Sequence, residues 1–398
     1  VSSPDALETS AVQPSALELS GRDPATGGRL TVAVRDGVVA EVHLDSADRP
    51  GDETPWLSPG LIDLQVNGYA GFDANDPTAG PEVIGALARS LFAVGVTTVV
   101  PTVVTASEEH ILDCLRQVVR ARADDPLVRH AIPFVHVEGP HLSEEDGPRG
   151  VHARDQVRPP DAAEFERWQQ ASEGLVGLVT MSPHFPDSTA YIAQLVSHGV
   201  RVAVGHTHAT PEQIHAAADA GATLSTHLGN GAHAVLPRHP NYVWAQLADD
   251  RLSAGLIADG HHLPTDTLIA MLAAKGAGRA FLVSDATTLA GSPPGVYETP
   301  VGGSVELSAD GRLSHVGTPY LAGAARSLTE GVAHLAGLGR HSLADALALA
   351  SAVPGRICGG RGRLEVGAPA DLVAFRWVAG DPTLTMERVL VGGTTVLR

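Results

Sequence analysis

Residues 201–230 read RVAVGHTHATPEQIHAAADAGATLSTHLGN. Two short apolar runs, 201–207 and 223–228, flank a segment of helical periodicity, PEQIHAAADAG. Strand, amphipathic helix and strand in that order form the repeating unit of a parallel sheet with helices packed on it. Each run ends on a histidine, His206 and His227, and one repeat between them puts the two on adjacent strands.

The unit recurs in both directions along the chain. An opening strand in LSPGLIDLQVNG, ending at Gly68, and the runs 97–105, 132–138, 175–181, 253–258 and 280–284 bring the total to eight. PEVIGALARSLFAVG, SEEHILDCLRQVVRARA and STAYIAQLVSHG supply helices between them. The last two and PEQIHAAADAG open near a Ser, Asp or Thr able to cap them. Eight strands alternating with helices favour an α/β fold, a closed (β/α)8 TIM-like barrel spanning 57–354. Before it, RLTVAVRDG and GVVAEVHLD alternate in the manner of antiparallel hairpins. After it come VGGSVELSADGRLSHVG and LEVGAPADLVAFRWVAG through TTVLR, with helices near 323–352 between them. The expected assembly is a small flanking β-sandwich of 15–56 plus 355–398, with possible strands from 295–317, and residues 1–14 as a disordered tail.

Bulk properties narrow the function classes. With 43% apolar residues in a chain of 398, a sizeable core is available. The net charge of -18, without a Lys/Arg cluster, argues against a nucleic-acid partner. No apolar run approaches membrane-spanning length, and the first residues lack a basic-then-apolar leader pattern. Cys114 and Cys358 lie far apart in helix-like contexts and read as buried thiols in a reducing compartment, the cytoplasm.

Five residues at or just beyond strand ends carry the chemistry: Glu138 in HVEGP, His206, His227, His262 in IADGHHL and Asp285 in FLVSDAT. Barrels of this class work at the C-terminal ends of their strands. One carboxylate and two imidazoles leave a divalent ion with open positions, as catalytic sites do, whereas a structural zinc site is closed and usually uses Cys. With a further Asp as proton carrier the set reads as a metal-dependent hydrolase. Taken singly, a strand-end histidine is more often a satisfied core or loop residue, and Asp285 has the alternatives of a helix N-cap for TTLAGS or a further ligand.

HVEGP, GHTHAT, THLGN, LIADGHHL, VSDAT and YLAGAARSL, with SPGLIDLQVNG before and GAPADLVAF after, resemble the N-acetylglucosamine-6-phosphate deacetylase family of the amidohydrolase superfamily. The resemblance runs in order from about Leu57 to the C-terminus. It implies one tightly held divalent ion, Zn first, with Fe, Mn or Co as alternatives, on Glu138, His206 and His227. It implies hydrolysis of an acetamido group on a small-molecule amino-sugar phosphate, with Asp285 as general base and acid. It implies that His152 in RGVHA polarises the carbonyl or holds the oxyanion and that His262 touches the sugar or phosphate, with His261 one residue away as the competing assignment. Asn230, Gly231, Ala322 and Gly323 fall at substrate-binding positions. Arg238 matches a basic residue that reaches the phosphate in a neighbouring subunit, implying a homodimer; an intersubunit salt bridge is the alternative role.

The chain departs from the family pattern twice. Asn-Gly-Ala-His follows Leu228-Gly229 where many members have Asn-Ala-Met, and LPRHPNYVWAQLA is unlike the common version around Arg238. The opening strand carries Gln65 and Asn67 where many relatives have His-x-His, leaving a degenerate second metal site and favouring a mononuclear centre. Lys275, the only lysine, lies in a helix-like segment and offers no evident carbamylated ligand. His141 and His184 receive no role. Rival readings are N-acetylgalactosamine-6-phosphate or an unphosphorylated N-acyl sugar as substrate, cyclic amide opening or nucleobase deamination, and a non-enzymatic barrel acting as an assembly module.

Overall fold

The computed structural model describes residues 17–276, 278–299, 303–318 and 320–398, so the expected tail at 1–14 lies outside the described residues. The chain begins with β1 (Leu17–Arg22), β2 (Arg29–Arg35), β3 (Val38–Asp45) and β4 (Trp56–Pro59). The barrel strand β5 (Leu61–Val66) follows, then a ribbon of β6 (Gly68–Tyr69) and β7 (Phe72–Asp73). The barrel continues with β8 (Val96–Val104), β9 (Val135–Glu138), β10 (Val176–Met181), β11 (Arg201–Val204), β12 (Leu224–Ser225), β13 (Ser253–Ile257) and β14 (Ala280–Val283). Helices α1 (Pro81–Ala93), α2 (Glu108–Asp124), α3 (Pro126–Ala131), α4 (Ala162–Ala171), α5 (Ser188–Ser197), α6 (Pro211–Asp219), α7 (Tyr242–Ala248) and α8 (Thr265–Lys275) fill the crossovers.

Local chemistry sets several helix starts. Ser107 caps α2 by accepting from His110 N, and Thr210 with Gln213 forms a capping box on α6 behind Pro211. Asp187 sits at the N-cap of α5 but makes no side-chain cap bond. No helix starts at Asp285, where the chain runs into turns, so the capping role open to it in the sequence does not arise.

β5 and β8–β14 form one sheet in sequential order, all neighbours parallel. The seam between β14 and β5 closes beyond the strand end: Asp285 N donates to Gln65 O (3.0 Å), Asn67 N to Ala286 O (2.9 Å), and Val66 bridges Ala286. Lower on the seam, Ser284 N donates to Asp63 Oδ1 (3.1 Å), and burial pushes that carboxyl up to about 7. Ile62, Leu64, Val100, Leu178, Ala203, Leu224, Ile257, Phe281 and Val283 point inward from seven strands and fill the barrel. This is a packed floor, and it leaves the C-terminal mouth as the place for chemistry.

After the barrel, β15 (Gly295–Thr299), β16 (Gly303–Leu307) and β17 (Leu313–His315) make a separate three-stranded sheet with its own apolar cluster around Leu289, Val305, Leu307, Leu313, Ala322 and Ala325. These strands do not join the early ones, as the sequence had suggested; they pack on the chain that leaves and re-enters the barrel. Helices α9 (Leu328–Gly337), α10 (Leu343–Leu349) and α11 (Ala352–Gly355) lead to β18 (Leu372–Arg376), β19 (Thr385–Val391) and β20 (Thr394–Leu397). Cys358 lies in the turn after α11, and both cysteines are free and buried. β18 pairs with β4, giving one sheet of order β20-β19-β18-β4-β1-β2-β3. The sheet curls on itself: Ala370 N donates to Gly37 O (2.9 Å), and Leu19, Val32 and Val34 share a core with Leu372, Ala374 and Leu390. One folded sheet thus serves as the expected sandwich beside the barrel.

Among the described residues no helix is long and apolar enough to cross a membrane.

Candidate metal centre

Glu138 is the last residue of β9, whereas His206, His227 and Asp285 each stand two residues beyond β11, β12 and β14. The ladders stop short of the ends of the apolar runs 201–207 and 223–228 because the backbone turns. His206, His227 and Asp285 have φ of 47°, 25° and 51°, left-handed values that cost a non-glycine residue roughly 1–3 kcal/mol each. Leaving the pleat in this way turns three side chains inward at one level.

Glu138 Oε1, His206 Nε2 and His227 Nε2 form a triangle with edges of 3.2, 3.1 and 3.0 Å. Among the described residues this is the one group of three His, Cys, Asp or Glu side chains gathered closely enough to share an ion, and all three are buried. His206 Nδ1 lies 2.8 Å from Pro148 O, which accepts only. The proton is therefore on Nδ1, and the Nε2 lone pair points at a carboxylate oxygen. Two acceptors at that distance repel unless a cation lies between them. Ligands about 2.0–2.2 Å from a tetrahedral ion are separated by about 3.3–3.5 Å, so the triangle fits such an ion with a small opening. The carbonyl on Nδ1 is the kind of outer partner that fixes a metal-ligating imidazole.

Electrostatics point the same way. Burial alone would raise Glu138, but the His206 and His227 rings set against its Oε1 hold it well below the usual carboxylate range. Burial opposes charge on His227, yet the Glu138 hydrogen bond and charge lift its pKa to about 9. Asp285 is raised by burial and then by the Glu138 charge, against His227 and His262. Two buried carboxylates side by side call for positive charge.

The remaining sequence candidates divide into two groups. His152 joins the centre: its Nε2 is 3.3 Å from His206 Nε2, and burial, then His206, depress it to about 3, so the ring is neutral. His262 is held by Asp259, Nδ1 to Oδ2 at 2.6 Å, and lies close enough for its charge to act on Asp285. His261 is directed elsewhere, its Nε2 2.9 Å from Asp310 O. Gly231 lies against His206; a Cβ there would sit 2.6 Å from Nδ1. Asn230 folds back on His227 O (3.2 Å). Ala322 and Gly323 precede Ala324, which pairs with Ala286 just past Asp285, and a Cβ on Gly323 would meet Thr287 Cγ2 at 2.6 Å.

Gln65 and Asn67 are engaged elsewhere than on a second ion. Gln65 Nε2 donates to Glu138 Oε1 (3.0 Å) and Asn67 Nδ2 to Asp285 Oδ1 (2.8 Å). Arg238 is not brought to its own triad. It is exposed and lines a surface cavity of about 520 Å³ with His215, His239 and Trp244.

His141 is a core residue, stacked 5.6 Å from Trp168. His184 and His208 lie with ring centroids 4.2 Å apart and planes tilted by 42°, each bonded through Nδ1 to a serine, Ser182 and Ser143. Sequence reasoning missed His136, Thr180, Asp63 and Asp259 as supports of the site. The lone lysine, Lys275, is fully buried and donates to Gln246 O, Asp249 O and Leu252 O (2.6, 2.9 and 2.6 Å) at the C-terminal end of α7; its being unique in a surface-rich chain was the available signal.

A closed parallel barrel with a Glu-His-His triad, an adjacent Asp and a flanking β-domain defines a hydrolase of the metal-dependent, amide-cleaving class. Residues 56–396 match the amidohydrolase family, and the chain belongs to it. It is similar to N-acetylglucosamine-6-phosphate deacetylase of Danio rerio, 32% identical over 87% of this chain and 85% of that one. It is similar to N-acetylgalactosamine-6-phosphate deacetylase of Escherichia coli O157:H7, 30% identical over 90% and 93%. Among solved structures, N-acetyl-D-glucosamine-6-phosphate deacetylase from Mycobacterium smegmatis superposes with a TM-score of 0.83 at 29% identity, covering 96% of this chain and all of that one.

Proposed function

We propose that the protein removes the N-acetyl group of an amino-sugar phosphate, with N-acetylglucosamine-6-phosphate as substrate and glucosamine-6-phosphate and acetate as products. The observation that carries the reading is the His206 Nε2 lone pair aimed at buried Glu138, beside an Asp285 whose Oδ1 is already held by Asn67. One divalent ion per subunit, zinc by preference, is held by Glu138, His206 and His227; when bound it polarises the amide oxygen and makes water acidic enough to attack near neutral pH.

The chain's own residues do the rest. Asn67 fixes one oxygen of Asp285, leaving the other to take the proton of the attacking water. The O–C bond forms, the C–N bond breaks, and Asp285 returns the proton to the departing nitrogen, because an amine leaves readily only when protonated. His152, neutral and buried beside His206, donates to the tetrahedral oxyanion. His262, steered by Asp259, contacts the sugar, and Asn230, Gly231, Ala322 and Gly323 line its binding surface. Gln65 and Asn67, bonded to the two carboxylates, support a mononuclear rather than a binuclear centre.

Arg238 anchors the phosphate of the neighbouring subunit's substrate in a homodimer. In support, the guanidinium is exposed on a segment that also exposes Val235 (87%) and Trp244 (57%). We take 57–354 as the catalytic domain, 15–56 with 355–398 as the flanking one, and the cytoplasm, where the phosphorylated substrate is retained, as the site of action.

The 4-epimer, N-acetylgalactosamine-6-phosphate, is a second reading, favoured by the 30% identity to the Escherichia coli O157:H7 relative. Comparing kcat/KM for the two epimers and for unphosphorylated N-acetylglucosamine tests the assignment. Turnover of the glucosamine phosphate ester at least tenfold above the other two is expected. Preference for the epimer overturns the substrate, and equal turnover of the free sugar overturns the phosphate role of Arg238.

A further inference from the structure

Directly beneath the triad lies a hydrogen-bonded layer that the reaction itself does not use. His136 Nε2 is 2.7 Å from Thr180 Oγ1, Thr180 Oγ1 is 2.6 Å from Thr226 Oγ1, and on the other side His136 Nδ1 is 3.3 Å from Thr102 Oγ1. Thr102 in turn accepts from Val66 N at 3.2 Å. All four side chains are buried. The layer therefore runs from the β5 backbone through β8, β9 and β10 to the residue just past β12.

One strand is skipped. Between β10 and β12 stands β11, and at this level its chain carries Gly205. A Cβ on Gly205 would lie 2.8 Å from Thr180 Cγ2 and 2.8 Å from Thr226 Cβ. Those separations are below any ordinary van der Waals contact, and both neighbours are branched, buried side chains. The glycine is thus required by space: its missing side chain lets the hydroxyls of two non-adjacent strands meet across the strand between them.

The layer is coupled to every ligand through the chain. Glu138 is two residues from His136 on the same strand, His206 follows Gly205, and His227 follows Thr226. His206 and His227 also have the left-handed φ values that persist only where surrounding structure over-determines them. We infer that His136, Thr180 and Thr226, admitted by Gly205, are positioning residues that hold Glu138, His206 and His227 at the separation a divalent ion needs.

The inference rests on reading that triad as the metal site. Its test is the affinity of the full-length protein for Zn²⁺, measured by competition with a chromophoric chelator, together with the visible spectrum of the Co²⁺-loaded protein. The variants are Thr180→Val, Thr226→Val, Gly205→Ala and the hydroxyl-retaining Thr180→Ser. The two valine variants and Gly205→Ala, by displacing the backbone that carries the ligands, are expected to weaken Zn²⁺ binding about 10-fold or more, the lower end of the range for lost support around a metal site, and to shift the Co²⁺ bands. Thr180→Ser is expected to stay within threefold of the unmodified protein. Urea unfolding of the metal-free variants separates positioning from plain folding: the positioning role requires lost affinity at an unfolding midpoint close to the parent's. Affinity within threefold in Thr226→Val with an unchanged spectrum overturns the inference, as does a loss that Thr180→Ser shares. Failure of the unmodified protein to bind Zn²⁺ would instead overturn the proposed function.

Discussion

Replacing Lys275 by Met tests whether the energetics read from the fold are right. The ammonium is fully buried and satisfies three carbonyls, Gln246 O, Asp249 O and Leu252 O, at 2.6, 2.9 and 2.6 Å. It closes the C-terminal end of α7, where cations also complement the helix dipole. Methionine keeps most of the stem's packing but donates nothing. Of the three carbonyls, Asp249 O retains the amide of Leu252 as a donor. A buried polar group deprived of its partner costs about 1–3 kcal/mol, and bonds from a charged donor are worth about 1.5–3 kcal/mol each. Release of the ammonium's own burial cost offsets part of that, so the net loss is about 3–5 kcal/mol, as for breaking other buried ionic contacts. Against a typical total of about 5–15 kcal/mol this is a severe lesion. Urea unfolding monitored by circular dichroism, in the presence of saturating Zn²⁺ for both proteins, measures it. A loss under about 1 kcal/mol with an unchanged urea slope would refute the argument that the carbonyls depend on this one donor.

Further outcomes follow from the site. Asp285→Asn is expected to lower kcat by about 10²- to 10⁴-fold while metal content by mass spectrometry stays at the parental level. Glu138→Gln is expected to abolish stoichiometric Zn²⁺ binding, read by equilibrium dialysis, since a neutral amide replaces the one anionic ligand. Arg238→Ala is expected to raise KM for the phosphorylated substrate about 10-fold or more with kcat nearly unchanged, and to leave an unphosphorylated substrate unaffected. Asp259 sets an acid-side dependence: burial opposes its charge most, but the His262 side-chain hydrogen bond and charge, together with the backbone amides of His262 and His261, lower it to about 2. Because the folded value lies below the unfolded one, its contribution, about 2 kcal/mol, is complete above about pH 4 and is lost as pH falls towards 2. Asp259→Asn should flatten that part of the stability–pH curve.

The barrel and the triad were legible because their signals are local. Each ligand stands at the end of an apolar run, and the run–helix–run period puts His206 and His227 on neighbouring strands, with Glu138 two strands before His206. Other features required the third dimension. Nothing in VAVGHTH distinguishes a glycine needed for its φ from one needed for space; Gly205 is explained only when Thr180 and Thr226 are seen on either side. His136 sits in the same HVEGP motif as Glu138, but its partners come from β8 and β10. The separation of β15–β17 from the larger sheet was hidden because hairpins of similar composition pair by packing, which sequence alternation does not specify. Gln65 and Asn67 read as a lost metal site, whereas in space their amides hold the two carboxylates.

The central claim is that Glu138, His206 and His227 hold an ion which, with Asp285, cleaves an acetamide. It is tested most directly by titrating Zn²⁺ into chelator-stripped protein while following acetate release from N-acetylglucosamine-6-phosphate. The account predicts no turnover without metal, a linear rise to a plateau at one equivalent per chain, and no rise in Glu138→Gln. Full turnover in the stripped protein, or a metal-saturated protein that releases no acetate, would contradict it.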